Sequence, residues 1–263
     1  VTGVQTCALP ISPCGEEQDM RTATRCALLV TLCALASAGR ADTWTDAFDG
    51  PELREEWSFR DVPDETSTVE VVDGALWMTE PSGNFGHLVP DRPMLSRELP
   101  AGIGDLTISA AFTTVPDLPQ DAWHGLFILG DDPMDWAVLG FAGEVGGGQK
   151  GIVGSMFAGP VWQDKGHPAT GLDVPFQLKL EKVDDNYSAY IRATDADAWV
   201  ALGNAWTHDL QPVSVGIGFI NSWGGNAVTI IADWFSLEGD GVEPLAVDAP
   251  GKVTMRWADM KRD

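Results

Sequence analysis

From residue 42 onward, apolar residues recur at every second position, and this period limits the folds open to the chain. Residues 106–112 alternate Leu, Ile, Ala and Phe with polar or small residues, and residues 176–181 alternate Phe, Leu and Leu with Gln, Lys and Glu. Residues 213–219 repeat the pattern. Such alternation is typical of strands with one buried face, whereas helices need apolar residues three and four positions apart. The pattern predicts strands, with no helical segment long enough for a βαβ unit.

Short turns rich in Asp, Asn and Gly separate these segments. Val72-Asp73-Gly74 stands between the apolar runs Thr68–Val72 and Ala75–Glu80, and a second turn at 183–186 follows the strand at 177–183. Turns of this composition join antiparallel hairpins. About ten strands are expected from these patterns. The sequence therefore predicts an all-β fold, a two-sheet antiparallel β-sandwich, over residues 42–239.

The first 41 residues are expected to lie outside this domain. Residues 1–11 resemble a translated sequencing adaptor, and residues 12–19 are interpreted as upstream sequence. Residues 20–41 have the charged start and apolar centre of a secretory signal peptide, with cleavage after Ala38 or Ala41. The apolar run is shorter than the roughly 20 residues of a spanning helix. We expect a secreted or periplasmic protein that does not insert into the membrane after cleavage.

Residues 240–263 differ in character from the domain before them. They begin with the polar, Pro-containing connector "GDGVEPLAVDAPG". Lys252–Asp263 can then form one short helix with Val253, Trp257 and Met260 on one face. The sequence predicts a linker and a short C-terminal helical tail.

The cysteine positions and the net charge limit the chemistry of the domain. All four cysteines precede residue 42, so no disulfide is expected in the mature chain. The net charge is −23, and the sequence from residue 42 onward contains 13 basic and 36 acidic residues. Such a surface repels nucleic acid and anionic lipid, and it raises the local concentration of cations. We expect no nucleic-acid partner.

One carboxylate stands out in the last strong strand, residues 227–237. Apolar residues occupy both alternating faces of this segment, and Asp233 lies among them. A carboxylate buried in this way is costly unless a basic side chain, backbone donors or a cation compensates it. No Lys or Arg lies within the strand. Asp233 is therefore a candidate metal ligand, the alternative being that it caps a backbone amide or pairs with a basic residue elsewhere.

Three motifs resemble one superfamily: "DAFDG" at 46–50, "VVDGALWM" at 71–78 and "ADWFSLEG" at 232–239. The chain resembles the concanavalin A-like lectin/glucanase superfamily, which implies a β-sandwich of the jelly-roll type. Within it, the chain is similar to lichenase- and laminarinase-type glucanases and their non-catalytic relatives, including the sandwich modules of β-xylosidases.

That resemblance implies one structural calcium shared by the first strand, an early turn and the last strand. Its ligands would be the carbonyl oxygens of Ala47 and Gly74 and the carboxylate of Asp233. Calcium binds oxygen ligands of these kinds. Asp46 and Asp49 would add negative potential near the ion, while Phe48 and Trp57 would anchor the first strand in the core.

The catalytic signature of the glucanases is absent from the sequence. Those enzymes carry Glu, Asp and Glu close together on one strand, and retaining hydrolysis needs two carboxyls about 5–5.5 Å apart. Glu70 and Asp73 would point to opposite faces, and residues 131–135 are predicted to form an acidic turn. The histidines have no metal-ligand spacing: His87, His124, His167 and His208. We predict no catalytic residues and favour a protein that is not an enzyme.

Aromatic residues supply the candidate ligand site. Trp223 lies between small and amide residues in "NSWGGN", where Asn221 and Asn226 flank it, and Trp123 and Trp136 stand at expected strand ends. An exposed indole offers a flat face to a sugar ring, and neighbouring amides can bind its hydroxyls. The alternative is that Trp223 folds back over its own loop.

The combined interpretation is a secreted, non-catalytic, carbohydrate-binding module with a structural calcium and a polysaccharide or glycan partner. Two alternatives stay open at this point. One is a glycan hydrolase or lyase with acids supplied by loops, and the other is a structural or assembly module of the cell envelope.

Overall fold

The computed structural model describes residues 42–61, 67–81, 91–114, 123–142, 151–158, 161–170, 176–221 and 227–243. All regular elements in these ranges are strands. They are β1 (Asp42–Asp46), β2 (Trp57–Arg60), β3 (Thr68–Val72), β4 (Ala75–Glu80), β5 (Met94–Glu98), β6 (Leu106–Thr114), β7 (Trp123–Leu129), β8 (Trp136–Ala142), β9 (Gly151–Ala158), β10 (Val161–Thr170), β11 (Phe176–Val183), β12 (Asn186–Arg192), β13 (Val200–Ala201), β14 (Trp206–Thr207), β15 (Ser214–Asn221) and β16 (Val228–Gly239).

The strands form two antiparallel sheets, as the sequence predicts. The nine-stranded sheet has the order β13-β12-β11-β6-β16-β4-β3, with β1 beside β16 and β14 beside β12. The seven-stranded sheet has the order β10-β9-β8-β7-β15-β5-β2. The described ranges contain more strands than the ten expected, because several are short. The predicted upstream segment, signal peptide and C-terminal helix fall in residues 1–41 and 244–263, outside the described residues.

None of the described residues belongs to a helix with the length and hydropathy that a bilayer crossing requires. The core lies between the two sheets and follows the predicted alternation. Its central members are fully or almost fully buried: Leu106, Ile108, Ala110, Phe112, Phe176, Leu178, Leu180, Val215, Ile217 and Phe219. Each large apolar side chain among them contributes about 1.5–3 kcal/mol on burial.

Strand β16 pairs with three other strands of the nine-stranded sheet. It pairs with β6 along one edge. On its other edge, residues 228–232 pair with β4 and residues 235–239 pair with β1. Two strands therefore share one edge of β16 end to end, and residues 233–234 lie opposite the gap between them.

A β-bulge interrupts β16 at this gap. Ala232 pairs with Phe112 and Trp234 pairs with Ala111, which leaves Asp233 as the extra residue. A bulge of this kind shifts the alternation of side chains beyond it. Ala232 and Phe235 are consequently both buried, and Trp234 turns to the outer face, where it is half-buried.

The expected burial of Asp233 is wrong for this reason. Its side chain is exposed, and the hydroxyl of Thr113 donates a hydrogen bond to its carboxylate over 3.3 Å. Apolar residues occupy both faces of β16 only when residues 227–237 are assumed to alternate without interruption. With the bulge included, Asp233 lies at the surface without a desolvation penalty.

The first strand is anchored by aromatic residues, as predicted. Phe48 and Trp57 are 2% and 8% exposed, and their rings stack with centroids 6.2 Å apart. Asp46 has a different role from the one expected. Its buried carboxylate accepts hydrogen bonds from the Phe48 backbone N–H at 2.9 Å and from the Trp57 indole N–H at 2.8 Å. Arg54 Nε lies 3.4 Å from the same carboxylate.

This carboxylate stabilises a strained turn. Phe48 has a φ of 50°, a left-handed conformation that costs a non-glycine residue about 1–2 kcal/mol. The hydrogen bond from its N–H to Asp46 holds that conformation. The acidic, aromatic start of the domain is therefore a buried hydrogen-bond network, with Asp49 left exposed beside it.

We predict that Asp46→Ala lowers the free energy of unfolding by about 3 kcal/mol, because two donors to a charged acceptor lose their partner. Urea unfolding followed by tryptophan fluorescence measures the change. Asp49→Ala, three positions away and exposed, is the matched control and should change stability by less than about 0.5 kcal/mol. Equal effects of the two substitutions would contradict the anchoring role of Asp46.

A second buried polar group lies in the core. His124 in β7 is 1% exposed and packs against the rings of Phe112, Phe141 and Phe219. Neither ring nitrogen has a hydrogen-bond partner among the described residues. Burial lowers the pKa of His124 to about 3, so the imidazole is neutral at ordinary pH.

This histidine predicts a loss of stability on mild acidification. In the unfolded chain the His124 imidazole takes up a proton below a pKa of about 6.5. In the folded chain the same imidazole does not do so until the pH falls to about 3. The free energy of unfolding should therefore fall by up to about 1.4 kcal/mol per pH unit below pH 6.5. Chemical unfolding between pH 7 and pH 5 measures the slope. His124→Leu should flatten it, and parallel curves for the two proteins would refute this account.

Candidate functional site

The outer face of the nine-stranded sheet carries a groove that runs across the strands. We call it the transverse groove, and its volume of about 540 Å³ lies in the range of ligand sites. It is lined by Thr45, Ala47, Thr107, Ser109, Lys179, Glu181, Arg192, Trp199, Trp234, Ser236 and Glu238. These residues come from β1, β16, β6, β11 and β12, together with the segments beside β1 and β13.

Short hydroxyl side chains form the floor of the groove. The strand registers put Thr45, Ser236, Ser109 and Lys179 on one line across β1, β16, β6 and β11. The Thr45 and Ser236 hydroxyls are 2.9 Å apart and hydrogen-bond to each other. Neighbouring strands are about 4.8 Å apart, so this line extends over about 14 Å. Small residues in the middle keep the floor open along this length.

The two walls of the groove differ in chemistry. One wall begins with the half-buried indole of Trp234, which stands opposite the small Ala111 of β6. The other wall carries carboxylates, because Glu238 and Glu181 both pair with Thr107 from opposite sides. A ligand in the groove therefore meets an apolar ring on one side and hydrogen-bond acceptors on the other.

The far end of the groove combines cations with aromatic rings. Lys179 Nζ lies 4.3 Å from the ring centre of Tyr190 and 5.2 Å from that of Trp199. The Arg192 guanidinium lies 4.3 Å from the Trp199 ring centre. Both cations thus cover aromatic faces at this end, which leaves Trp234 as the groove indole without a cation over it among the described residues.

Sequence reasoning missed this groove. An unbroken alternation through residues 227–237 predicts that the Trp234 side chain points into the core, whereas the bulge turns it outward. A usable signal was present, since Trp234, Ser236 and Glu238 follow one another at every second position and two of the three are polar. The remaining lining residues are far apart in sequence, and only strand register brings them together.

The three residues predicted to bind a metal converge on the bulge of β16. Ala47 directly follows the pair of Asp46 with Phe235, and Gly74 lies two residues before the pair of Leu76 with Ala232. Both segments therefore approach residues 233–234 from the same edge.

The donor types at this point are those that a hard cation binds. They are two backbone carbonyls and one exposed carboxylate, and in the described part of the chain that carboxylate accepts a single hydrogen bond. No cluster of three or more His, Cys, Asp or Glu side chains suited to a metal occurs among the described residues. A metal here would therefore depend on backbone oxygens as much as on side chains.

The expected exposure of Trp136 is wrong. Trp136 is 0% exposed and packs edge-on against Phe127, with ring centres 5.8 Å apart. The Arg92 guanidinium lies 5.0 Å from the centre of the Trp136 ring. Burial lowers the Arg92 pKa to about 10, and the positive charge of Arg60 contributes a smaller part of this shift. The ring joins a second apolar cluster on the seven-stranded sheet, formed by Met94, Phe127, Leu129, Trp136, Val138 and Ile220.

Of the other predicted ligand residues, Trp123 and Asn221 lie at paired strand ends of the same sheet. Trp123 begins β7 and is half-buried against the second cluster. Asn221 ends β15, and its side chain lies outside the described part of the structure, as do Trp223 and Asn226. Their role in ligand binding stays a prediction.

The acidic segment 131–135 forms a turn, as expected. The Met134 N–H donates to the Asp132 carboxylate at 2.8 Å, and the Asp135 N–H donates to the Asp132 carbonyl at 2.8 Å. Asp135 also lies 2.9 Å from Nε2 of the buried His208, which follows β14. Burial raises the Asp135 pKa, and the contact with His208 opposes that shift. This pair links the two sheets, and we assign it a structural role.

Comparisons with known proteins identify the fold. No protein-family model matches the chain, and no curated protein matches its sequence. A xylan β-1,4-xylosidase from Bacillus halodurans C-125 is similar in structure, with a TM-score of 0.58 and 15% identity over 88% of this chain and 41% of that one. A GH43 protein from Bacillus licheniformis has a TM-score of 0.59 and 15% identity over 74% of this chain and 39% of that one.

A third structure has no known function. It comes from Shewanella oneidensis MR-1 and has a TM-score of 0.51 and 10% identity, covering 89% of this chain and 96% of its own. The present chain spans about two fifths of the length of the xylosidase and the GH43 protein. At these identities the similarity establishes the β-sandwich fold and no more.

Proposed function

We propose that this chain is a non-catalytic, carbohydrate-binding module of the concanavalin A-like type, exported from the cell, and that it binds a glycan in the transverse groove. The observation that carries the proposal is the Trp234 indole beside a floor of hydroxyl side chains. Two solved structures with this fold are a xylan β-1,4-xylosidase and a GH43 protein, which supports a glycan as the partner.

The chemistry of the groove matches the two surfaces of a sugar. A pyranose ring presents C–H groups on its face, which pack on an indole, and hydroxyls at its edge, which need donors and acceptors. Trp234 supplies the apolar face, while Ser109, Ser236 and Glu238 supply polar groups within the same groove. A chain of sugars lying across the strands would meet these groups in succession.

A binding role fits the carboxylates better than a catalytic one. Glu181 and Glu238 are separated by β6, so their backbones lie two strand spacings, about 9.5 Å, apart. This spacing is too wide for retaining hydrolysis, which needs carboxyls about 5–5.5 Å apart, and it lies at the upper limit of the roughly 6.5–9.5 Å range of inverting hydrolysis. Glu181 is paired with Lys179 at 2.5 Å, so its carboxylate is already engaged by a side chain of the protein.

We predict that Trp234→Ala weakens binding to a soluble polysaccharide by at least about tenfold, because one stacking contact is lost. Affinity electrophoresis against a polysaccharide panel measures the change. Trp77→Ala is the matched control, since Trp77 is half-buried on the same sheet but does not line the groove. Equal losses in the two variants would place binding elsewhere, and turnover of any polysaccharide would refute the non-catalytic role.

We further propose that one calcium ion bridges the end of β1, the β3–β4 turn and the bulge of β16. The carbonyl oxygens of Ala47 and Gly74 and the carboxylate of Asp233 would hold it. The ion would serve only to join strands that share one edge of β16. The net charge of −23 favours cation binding by raising the local cation concentration.

Calcium should therefore raise the melting temperature, and a chelator should lower it. At a calcium concentration one hundred times its Kd, the stabilisation is about 2.7 kcal/mol. Asp233→Asn should abolish the response, whereas Asp49→Asn, an exposed nearby control, should retain it. Thermal unfolding with calcium, with magnesium and with chelator tests this, and identical melts in all three conditions would overturn the calcium proposal.

A further inference from the structure

The cations of the transverse groove already have acidic partners from the chain itself. Lys179 Nζ lies 2.5 Å from Glu181 Oε1, with the two side chains 18% and 27% exposed. The Tyr190 hydroxyl also hydrogen-bonds Glu181, which raises the Tyr190 pKa. Glu181 is therefore held in place from two directions, over the aromatic end of the groove.

Arg192 is engaged in a similar way, but less firmly. Its guanidinium lies 2.5 Å from Asp195 Oδ1, and its Nε donates to the Gln177 amide oxygen at 2.6 Å. The Asp195 side chain is 76% exposed, whereas that of Arg192 is 17% exposed. Solvent screens an exposed pair strongly, so Asp195 is the weaker of the two internal counter-ions.

We infer that the transverse groove accepts neutral glycans and excludes acidic ones, and that Glu181 is the main residue responsible, assisted by Asp195. This inference rests on the proposed carbohydrate-binding function and names its ligand class. Acidic sugars carry a carboxylate or sulfate, and the groups that would bind such an anion here are Lys179 and Arg192. Both are occupied by carboxylates of the protein.

Two physical effects act against an acidic ligand. Its anion would have to displace a carboxylate tethered beside the cation, which has the advantage of a high effective concentration. It would also approach a surface of net charge −23 and the exposed carboxylate of Glu238, and like charges brought together reduce affinity. A neutral sugar meets neither obstacle and still gains the contact with Trp234.

The test compares neutral and acidic probes of equal length. Isothermal titration calorimetry at low salt would use xylohexaose and cellohexaose as neutral probes and hexagalacturonate as the acidic probe. We expect the unmodified protein to bind at least one neutral probe and to bind hexagalacturonate at least about tenfold more weakly. Glu181→Gln should raise the ratio of acidic to neutral affinity by about tenfold, and Asp195→Asn should raise it less.

Glu70→Gln is the matched control. Glu70 is an exposed carboxylate on β3 of the same sheet, outside the groove, so its removal changes the net charge equally. An equal rise in the ratio for Glu70→Gln would attribute discrimination to overall charge and overturn the role of Glu181. Preference of the unmodified protein for hexagalacturonate would overturn the inference while leaving carbohydrate binding intact. Absence of binding to all three probes would overturn both proposals.

Discussion

The nine-stranded sheet depends on one edge of β16 that two other strands share. β4 occupies the first part of this edge and β1 the last part, so the backbone groups at residues 233–234 face a junction instead of a continuous partner. A bulge at Asp233 on the opposite pairing accommodates the junction. The buried Asp46 lies at the end of β1 next to this point and fixes the chain as it leaves the strand.

The same bulge explains the surface chemistry. By inserting one residue, it turns Trp234 outward and keeps Phe235 and Leu237 in the core. The indole then stands beside the hydroxyl row that strand register builds across the sheet. The three residues that the resemblance to glucanases implies as calcium ligands lie on segments that flank the same junction, so the proposed ion and the proposed ligand site are neighbours.

Sequence patterns predicted the local structure well and the long-range structure poorly. The buried faces of β6, β11 and β15 and the turns at 72–74 and 183–186 follow from short segments, because alternation and turn composition are local properties. The environments of Asp233 and Trp136 were predicted wrongly, because one depends on a bulge and the other on packing against distant strands. The groove was missed because Thr45, Ser109 and Ser236 are aligned only by pairing across the sheet.

The pairing of Asp42 with Gly239 has a consequence for how such a sandwich can be built into larger proteins. In an antiparallel pair these two residues lie about 4.5–5.5 Å apart, so the first strand begins and the last strand ends at one corner of the sheet. A domain with adjoining ends can be inserted into a surface loop of another protein with little distortion of either partner. The β-sandwich is thus suited to transfer between different architectures as a self-contained unit.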